Sequence, residues 1–279
     1  MPDTLTSVLT SLHQRGLPRL EAQMLVLHAL GRGVHDRAWL IAHDRDRLTG
    51  STQAQLEQWV IRRLAGEPMA YIIGVKEFFG LALKVDARVL DPRPDTETLV
   101  EWALELLHLR LEPRVVDLGT GSGAIALALK SHCPAAHVEA VDYSIDALDV
   151  ARANAQHLQL DVPFAQGSWL EPIRGDFDLI VSNPPYIASA DPHLAALRHE
   201  PLAALASGTD GLDDIRTIIA QSTQHLLPGG WLLLEHGYDQ AAAVRALLTQ
   251  AGFAHAQSRC DLASIERCSG AQWVQHKAA

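Results

Sequence analysis

From Arg114 towards the C-terminus strand and helix signals alternate, which predicts an α/β fold. The expected architecture is a doubly wound, mostly parallel sheet with helices on both faces, preceded by a small N-terminal helical domain. Two further observations support it. The apolar runs Val115-Val116-Asp117-Leu118 and Phe177-Asp178-Leu179-Ile180-Val181-Ser182 have the length of buried strands. The first of them ends in a glycine-rich turn, Gly119-Thr120-Gly121-Ser122-Gly123, that leads into a helical pattern.

Residues 1–65 read as helical throughout, over 4–15, 20–30 and 51–64. Met24, Leu25, Leu27 and Ala29 form the apolar positions of the second helix, and Ser51 is the expected N-cap of the third. We read this segment as a partner-binding or packing module. Residues 66–95 form a hairpin and linker. Tyr71-Ile72-Ile73-Gly74-Val75 and residues 78–85 are strand-like with glycine punctuation, and two prolines make Leu90-Asp91-Pro92-Arg93-Pro94-Asp95 an extended loop. Residues 96–279 form the main domain, opening on a helix over 96–109. Its strands are expected at 115–118, 137–141, 177–182, 231–234, 253–258 and 272–276. Its helices are expected at 124–131, 144–157 with Ser144 as N-cap, 213–226 and 240–251. Internal repeats and low-complexity tracts are absent.

Composition narrows the function classes. At 48% hydrophobic and 20% charged residues the chain is an ordinary globular sequence. A formal net charge of −10 argues against a sequence-independent grip on nucleic acid, which requires basic surface to displace counterions. The N-terminus shows no signal-peptide pattern and no apolar run reaches membrane-spanning length, so no membrane association is expected. Three unpatterned cysteines suit a reducing cytoplasm, and fourteen histidines without ligand spacing suggest no metal.

The glycine turn carries the first chemical signal. Glycines let the backbone turn tightly and approach a ligand, while the following helix presents unpaired N–H groups. Asp142 ends the next strand, where such folds use a carboxylate to accept hydrogen bonds from a ribose diol. Gly119, Thr120, Gly121, Ser122, Gly123 and Asp142 are therefore read as a nucleoside-cofactor site. Gly119, Gly121 and Ala124 also satisfy a dinucleotide pattern, but Gly123 and the acid Asp117 before the turn count against NAD.

The second signal is Asn183-Pro184-Pro185-Tyr186, directly after the Phe177 strand. Asn183 precedes a proline and is pushed towards an extended conformation, and neither proline has an N–H. The loop therefore offers mainly acceptors, the Asn183 side-chain oxygen and the Pro184 carbonyl, beside the Tyr186 ring. Converging acceptors suit the NH2 of an amide or exocyclic amine.

The glycine turn resembles the first motif of S-adenosylmethionine-dependent methyltransferases, and Asn-Pro-Pro-Tyr resembles the fourth motif of those that modify planar amino groups. With Gly66-Glu67-Pro68-Met69-Ala70-Tyr71-Ile72-Ile73-Gly74, Pro92-Arg93-Pro94-Asp95-Thr96-Glu97, His199-Glu200-Pro201-Leu202, Asp210-Gly211-Leu212 and Leu234-Glu235-His236-Gly237 followed by Gln240, the ordered set resembles the peptide-chain release factor glutamine N5-methyltransferases. The resemblance implies a Rossmann-like methyltransferase fold and S-adenosylmethionine as methyl donor, with S-adenosylhomocysteine as product. It also implies class I release factors as partners, and as reaction the methylation of the glutamine of their Gly-Gly-Gln motif on N5. It places Trp169 near the adenine, Asn183 between cofactor and substrate, and Asn183, Pro184, Pro185 and Tyr186 around the acceptor glutamine. Ser168 stands where the family often has aspartate, which removes support for adenine-amine recognition by that side chain. Asp91 replaces a usually apolar residue, and residues 261–264 lack a usual glycine.

The expected mechanism needs no strong acid, because the methyl is already activated on sulfur. Positive charge moves to nitrogen as bonding begins, so Asn183 and Pro184 would hold the transition state more tightly than the ground state, with Tyr186 as an electron-rich wall. Glu97 and Glu200 are candidate site acids, and we read each as an ion-pair or capping residue in preference. The alternatives are glutamine methylation on another translation protein, amino-methylation of DNA or RNA by base flipping, an NAD oxidoreductase, for which hydride-transfer residues are missing, and a non-catalytic binder, which would leave Asn-Pro-Pro-Tyr without a purpose.

Overall fold

The computed structural model describes residues 4–108 and 110–274. The chain separates between Gly74 and Val75 into two compact units. Residues 66–74, read from sequence with the hairpin, therefore lie with the helices.

The first unit contains α1 (Leu5–Gln14), α2 (Arg19–Ala29), α3 (Arg37–Ala42), α4 (Gly50–Leu64) and α5 (Met69–Ile73). The Thr4 hydroxyl accepts from the Ser7 N–H and caps α1, leaving Leu5, Val8 and Leu12 on the buried face at helical spacing. Three successive residues of α2, Leu25, Val26 and Leu27, are buried because α1, α3, α4 and α5 all pack against it. Full burial of each such side chain contributes about 1.5–3 kcal/mol. Two hydrogen bonds of 2.7 and 2.9 Å from Arg63 to Glu21 tie α4 to α2.

Three expectations for this unit are corrected. The N-cap of α4 is Thr49, whose hydroxyl accepts from Thr52, and Ser51 lies inside the helix. The six-residue α3, capped by Asp36, is too short to show a period. Tyr71, Ile72 and Ile73 are helical rather than a strand. Pro68 precedes that turn of helix and Gly74 ends it at φ +80°, so backbone punctuation outweighs the β-propensity of the side chains.

The second unit opens with an antiparallel hairpin, β1 (Val75–Phe78) and β2 (Leu81–Lys84), joined at Phe79 and Gly80, both at positive φ. A 3-10 turn, Pro94–Thr96, leads into α6 (Glu97–Leu107). There follow β3 (Arg114–Leu118), α7 (Ala124–His132), β4 (His137–Asp142), α8 (Ile145–Leu158), β5 (Phe164–Gln166), β6 (Phe177–Ser182), α9 (Asp213–Ser222), β7 (Leu226–Glu235), α10 (Ala241–Gln250), β8 (Phe253–Cys260) and β9 (Glu266–Trp273). The strands form one sheet in the order β5-β4-β3-β6-β7-β9-β8. Every pairing from β5 to β7 is parallel, and β9 and β8 close the sheet antiparallel.

Strand alternation divides the core. Val115, Val138, Ala140, Leu179, Val181 and Leu233 face one layer with residues of α6 and α7. Val116, Leu118, Val141, Ile180, Leu232 and Leu234 face the other with α9 and α10. This is the doubly wound, mostly parallel arrangement expected from sequence.

Element ends differ in places. The helix expected to reach Leu226 stops at Ser222, because Leu226 already pairs with Phe177 across an irregular register. β5 gave no sequence signal at three residues. The last strand runs over Glu266–Trp273 rather than from Gln272, since its buried stretch, Cys268-Ser269-Gly270-Ala271, is small and partly polar. Leu109, Gln275 and His276, assigned from sequence to the ends of a helix and a strand, lie outside the described residues. No helix among the described residues is long and apolar enough to cross a membrane.

Candidate active site

The carboxyl ends of β3, β4, β6 and β7 deliver Asp117, Asp142, Asn183 and Glu235 to one edge of the sheet, where open α/β sheets bind ligands. A cavity of about 360 Å³ opens there. Gly119, Thr120, Ser122, Asp142, Ser168, Trp169, Asn183 and Pro185 line it, so seven of the residues singled out from sequence meet in one space, beside Ser168. Leu90, Pro92, Pro201 and Ala204 supply further wall. Gly121, Gly123, Pro184 and Tyr186 are not among the lining residues.

Gly121 and Gly123 instead shape the turn. The Gly121 N–H donates to Asp142 Oδ2 at 2.8 Å, and Gly123, at φ +83°, opens α7. Gly119 combines φ +70° with close approach: a Cβ there would lie 3.2 Å from the Trp169 ring. The glycine thus lets that ring stand against the backbone. Asp117 is fully buried and ties the turn to the helix, its Oδ2 accepting from the Thr120 hydroxyl at 2.6 Å and the Ala126 N–H at 3.2 Å. Its Oδ1 has no hydrogen-bond partner among the described residues. Burial, aided by the charge of Asp142, pushes the Asp117 carboxyl up to about 7 against those hydrogen bonds.

Asp142 keeps its oxygens in use: Oδ1 accepts from the Ser144 N–H at 2.9 Å. Burial raises its pKa, and the N–H groups of Ser144, Gly121 and Tyr143 oppose the rise. A carboxylate has about four acceptor positions, so capacity remains for a diol.

In the Asn-Pro-Pro-Tyr loop, no peptide bond is cis. The Ser182 hydroxyl donates to the Leu118 carbonyl at 2.7 Å and holds the end of β6 against β3. Asn183 donates through Nδ2 to Thr96 Oγ1 at 3.2 Å, and its Oδ1 takes no hydrogen bond from the described residues. The Tyr186 hydroxyl donates to Glu235 Oε1 at 3.3 Å, and the Tyr186 carbonyl accepts from Gln240 Nε2 at 3.0 Å. Burial, then the nearby charge of Glu235, raises the Tyr186 pKa. Glu235 is itself buried, which pushes its carboxyl up to about 7; hydrogen bonds from the Thr96 and Tyr186 hydroxyls oppose the rise.

Glu97 accepts from the Phe79 N–H at 3.0 Å and steadies the hairpin turn. Glu200 pairs with Arg93 at 2.5 Å. Asp91 joins that cluster through Lys76 and Arg93, at 3.3 and 3.5 Å, which accounts for a buried acid at an expected apolar position. His236 is buried against Ser269, at 2.7 Å, and burial lowers its pKa. Among the described residues no group of three or more His, Cys, Asp or Glu could hold a metal ion.

Sequence reasoning assigned no role to Thr96, Asn154, Glu235 or Gln240. Asn154 is fully buried on α8; it donates to the Ser122 carbonyl at 2.9 Å and accepts from the Lys84 N–H at 2.8 Å, so it fastens the glycine turn to the hairpin. A polar residue on the apolar side of a helix was the available signal. Thr96, Glu235 and Gln240 stood within recognised motifs without a visible partner.

The model of the methyltransferase small domain matches residues 96–200, and that of the PrmC N-terminal domain matches residues 3–74. The chain is 54% identical over 259 residues to a Bordetella pertussis protein named release factor glutamine methyltransferase, covering 91% of this chain and 95% of that one. A Xylella fastidiosa protein of the same name is 48% identical over 263 residues, covering 91% and 94%. The solved Thermus thermophilus 16S rRNA N2 G1207 methyltransferase shares the fold alone, at TM-score 0.54 and 19% identity over 71% of this chain and 49% of that one.

Proposed function

The chain belongs to the release factor glutamine methyltransferase family, and from that premise we propose that it moves a methyl group from S-adenosylmethionine to N5 of the glutamine in the Gly-Gly-Gln motif of class I release factors. The observation that carries the reading is Asn183, whose side-chain oxygen is unclaimed by the described residues on the wall of a cavity it shares with Asp142 and Trp169.

The lining suits the donor. Asp142 has acceptor capacity for a ribose diol, and the Trp169 ring beside Gly119 offers a flat apolar surface for a base. Gly119, Thr120 and Ser122 would hold the rest by backbone and hydroxyl groups, with Gly121 and Gly123 shaping the turn. When bound, S-adenosylmethionine supplies a methyl already activated on a sulfonium sulfur.

The residues of the chain then have two tasks. Alignment of nitrogen with methyl can contribute roughly 7–11 kcal/mol. The Asn183 oxygen and the Pro184 carbonyl, which accepts no hydrogen bond from the described residues, would take the two amide protons. Both acceptors gain strength as charge builds on nitrogen, so they favour the transition state. No general base is required, since the charged product can lose its proton to water. Tyr186, with its hydroxyl held by Glu235, would present its ring rather than its hydroxyl to the acceptor.

Mass spectrometry of a full-length class I release factor after incubation with the protein and S-adenosylmethionine tests the assignment. One added methyl on the Gly-Gly-Gln glutamine is expected. Asn183→Ala should reduce turnover on the order of 10²–10³ without unfolding the chain. Methylation of DNA or RNA with the release factor left unmodified would replace this reading with the nucleic-acid one.

A further inference from the structure

We propose that Thr96 and Glu235 are positioning residues that decide which way the Asn183 carboxamide faces, turning its oxygen to the cavity. The proposal rests on the reading of Asn183 as an acceptor.

Donor and acceptor logic carries it. Asn183 and Thr96 are joined by a 3.2 Å hydrogen bond between Nδ2 and Oγ1. Thr96 is buried, and its hydroxyl has one proton to give. That hydroxyl also lies near enough to the Glu235 carboxylate to oppose the rise in its pKa, and the carboxylate in its ionised form can only accept. Thr96 therefore gives its proton to Glu235 and shows Asn183 a lone pair. Only the NH2 end of the carboxamide can use it, so Oδ1 is left for the cavity. If Glu235 donated instead, Thr96 could pass its proton to Oδ1 and the amide would turn. An NH2 group would then meet the NH2 of the acceptor.

Glu235 is 1% exposed, and its Oε2 has no partner within close hydrogen-bond distance among the described residues. Keeping such a group in a protein interior is costly. Its position gives it a reason: one carboxylate at the end of β7 holds Tyr186 directly, at 3.3 Å, and stands beside the Thr96 hydroxyl that accepts from Asn183. Two residues of the loop are thereby set from a single rigid strand.

Thr96→Val, Thr96→Ser and Glu235→Gln test the relay. Thr96→Val should leave S-adenosylmethionine affinity within about twofold by calorimetry and lower turnover about tenfold, the worth of one oriented hydrogen bond. Thr96→Ser should restore it. In an Asn183→Ala background Thr96→Val should cost nothing more, because the group it positions is gone. A structural role would still show its full cost there and would overturn the proposal. A second readout needs no substrate. The side-chain NH2 signals of Asn183, identified by their loss in Asn183→Ala, should shift in Thr96→Val and Glu235→Gln but not in Thr96→Ser. Unmoved signals refute the relay even if the enzyme is fully active. If the wild-type protein fails to methylate a release factor, the substrate reading falls and these signals alone decide the relay. Should Thr96→Val not fold, Glu235→Gln carries the same comparisons.

Discussion

Asp142 accepts from the Gly121 and Ser144 N–H groups while lining the cavity, so the same carboxylate holds the glycine turn and faces the cavity. Hydrogen bonds to a charged group contribute about 1.5–3 kcal/mol each, so Asp142→Ala should weaken S-adenosylmethionine binding roughly tenfold or more. Calorimetry on the folded variant checks this, and unchanged affinity would remove Asp142 from the site. Glu235 adds a dependence on pH. Burial, with the charge of Asp95, pushes its carboxyl up to about 7, while Thr96, Tyr186 and Arg267 pull the other way. Cys268 also feels this carboxylate. Above about 7 Glu235 is ionised and only accepts; below it the proton returns and the relay to Asn183 loses its direction. Turnover should therefore fall as pH drops through about 7, and the Glu235→Gln profile should lack that limb. Asp117 is pushed into the same range, so a limb that persists in Glu235→Gln belongs to Asp117 instead. Stability has the opposite sign. A raised carboxyl pKa gives stability that is complete below the unfolded value and is lost as pH rises through the folded one. Glu235→Gln should thus gain in melting temperature relative to the parent between pH 4.5 and about 7.

At the scale of elements, the loop after β6 is placed by parts of the chain far from it. Gln240, just before α10, donates to the Tyr186 carbonyl at 3.0 Å and accepts from the Gly237 N–H at 2.8 Å. Gly211 lies against the same carbonyl: at φ +76°, a Cβ there would come within 2.2 Å of the Tyr186 oxygen. Gly211→Ala must therefore displace the loop in addition to the roughly 1–2 kcal/mol cost of a left-handed L-residue. We expect turnover to fall at least tenfold, as for one lost oriented hydrogen bond, with S-adenosylmethionine affinity nearly unchanged. Equal losses of both would show that the change reached the cofactor side. These contacts mark what could be read before the structure. Strand and helix alternation, the glycine turn and Asn-Pro-Pro-Tyr depend on local pattern, and the fold class with much of the cavity wall follows from them. Residues 71–73 were misread because proline and glycine punctuation, not side-chain propensity, decided their state. Thr96 and Glu235 act through partners in distant parts of the chain, as Gln240 does at the Tyr186 and Asp210 carbonyls, and no local period reveals them. Pro184 and Tyr186 were legible as a motif, but sequence could not show that neither lines the cavity.

At the scale of the molecule, the two units draw on separate cores. The buried cluster of the first runs from Leu5 to Ile72, while the clusters of the second begin at Phe78. A cut at Gly74 therefore removes no residue from either core of the second unit, and the whole glycine turn, Asp142, Asn183 and Glu235 remain in it. Residues 75–279 should fold, bind S-adenosylmethionine with near-parental affinity and methylate a short Gly-Gly-Gln peptide. Two glycines beside the acceptor let a substrate backbone enter a narrow site, so chemistry on the peptide needs only this unit. A macromolecular substrate offers more surface than such a site can use, and we propose that the helical unit meets it. The intact protein should therefore prefer full-length release factor over the peptide by a wide margin in kcat/KM, and the truncated protein should lose most of that preference through KM rather than kcat. Parallel kinetics on both substrates with both proteins measure this. If truncation leaves the preference intact, release-factor recognition resides in residues 75–279 and the helical unit has another role.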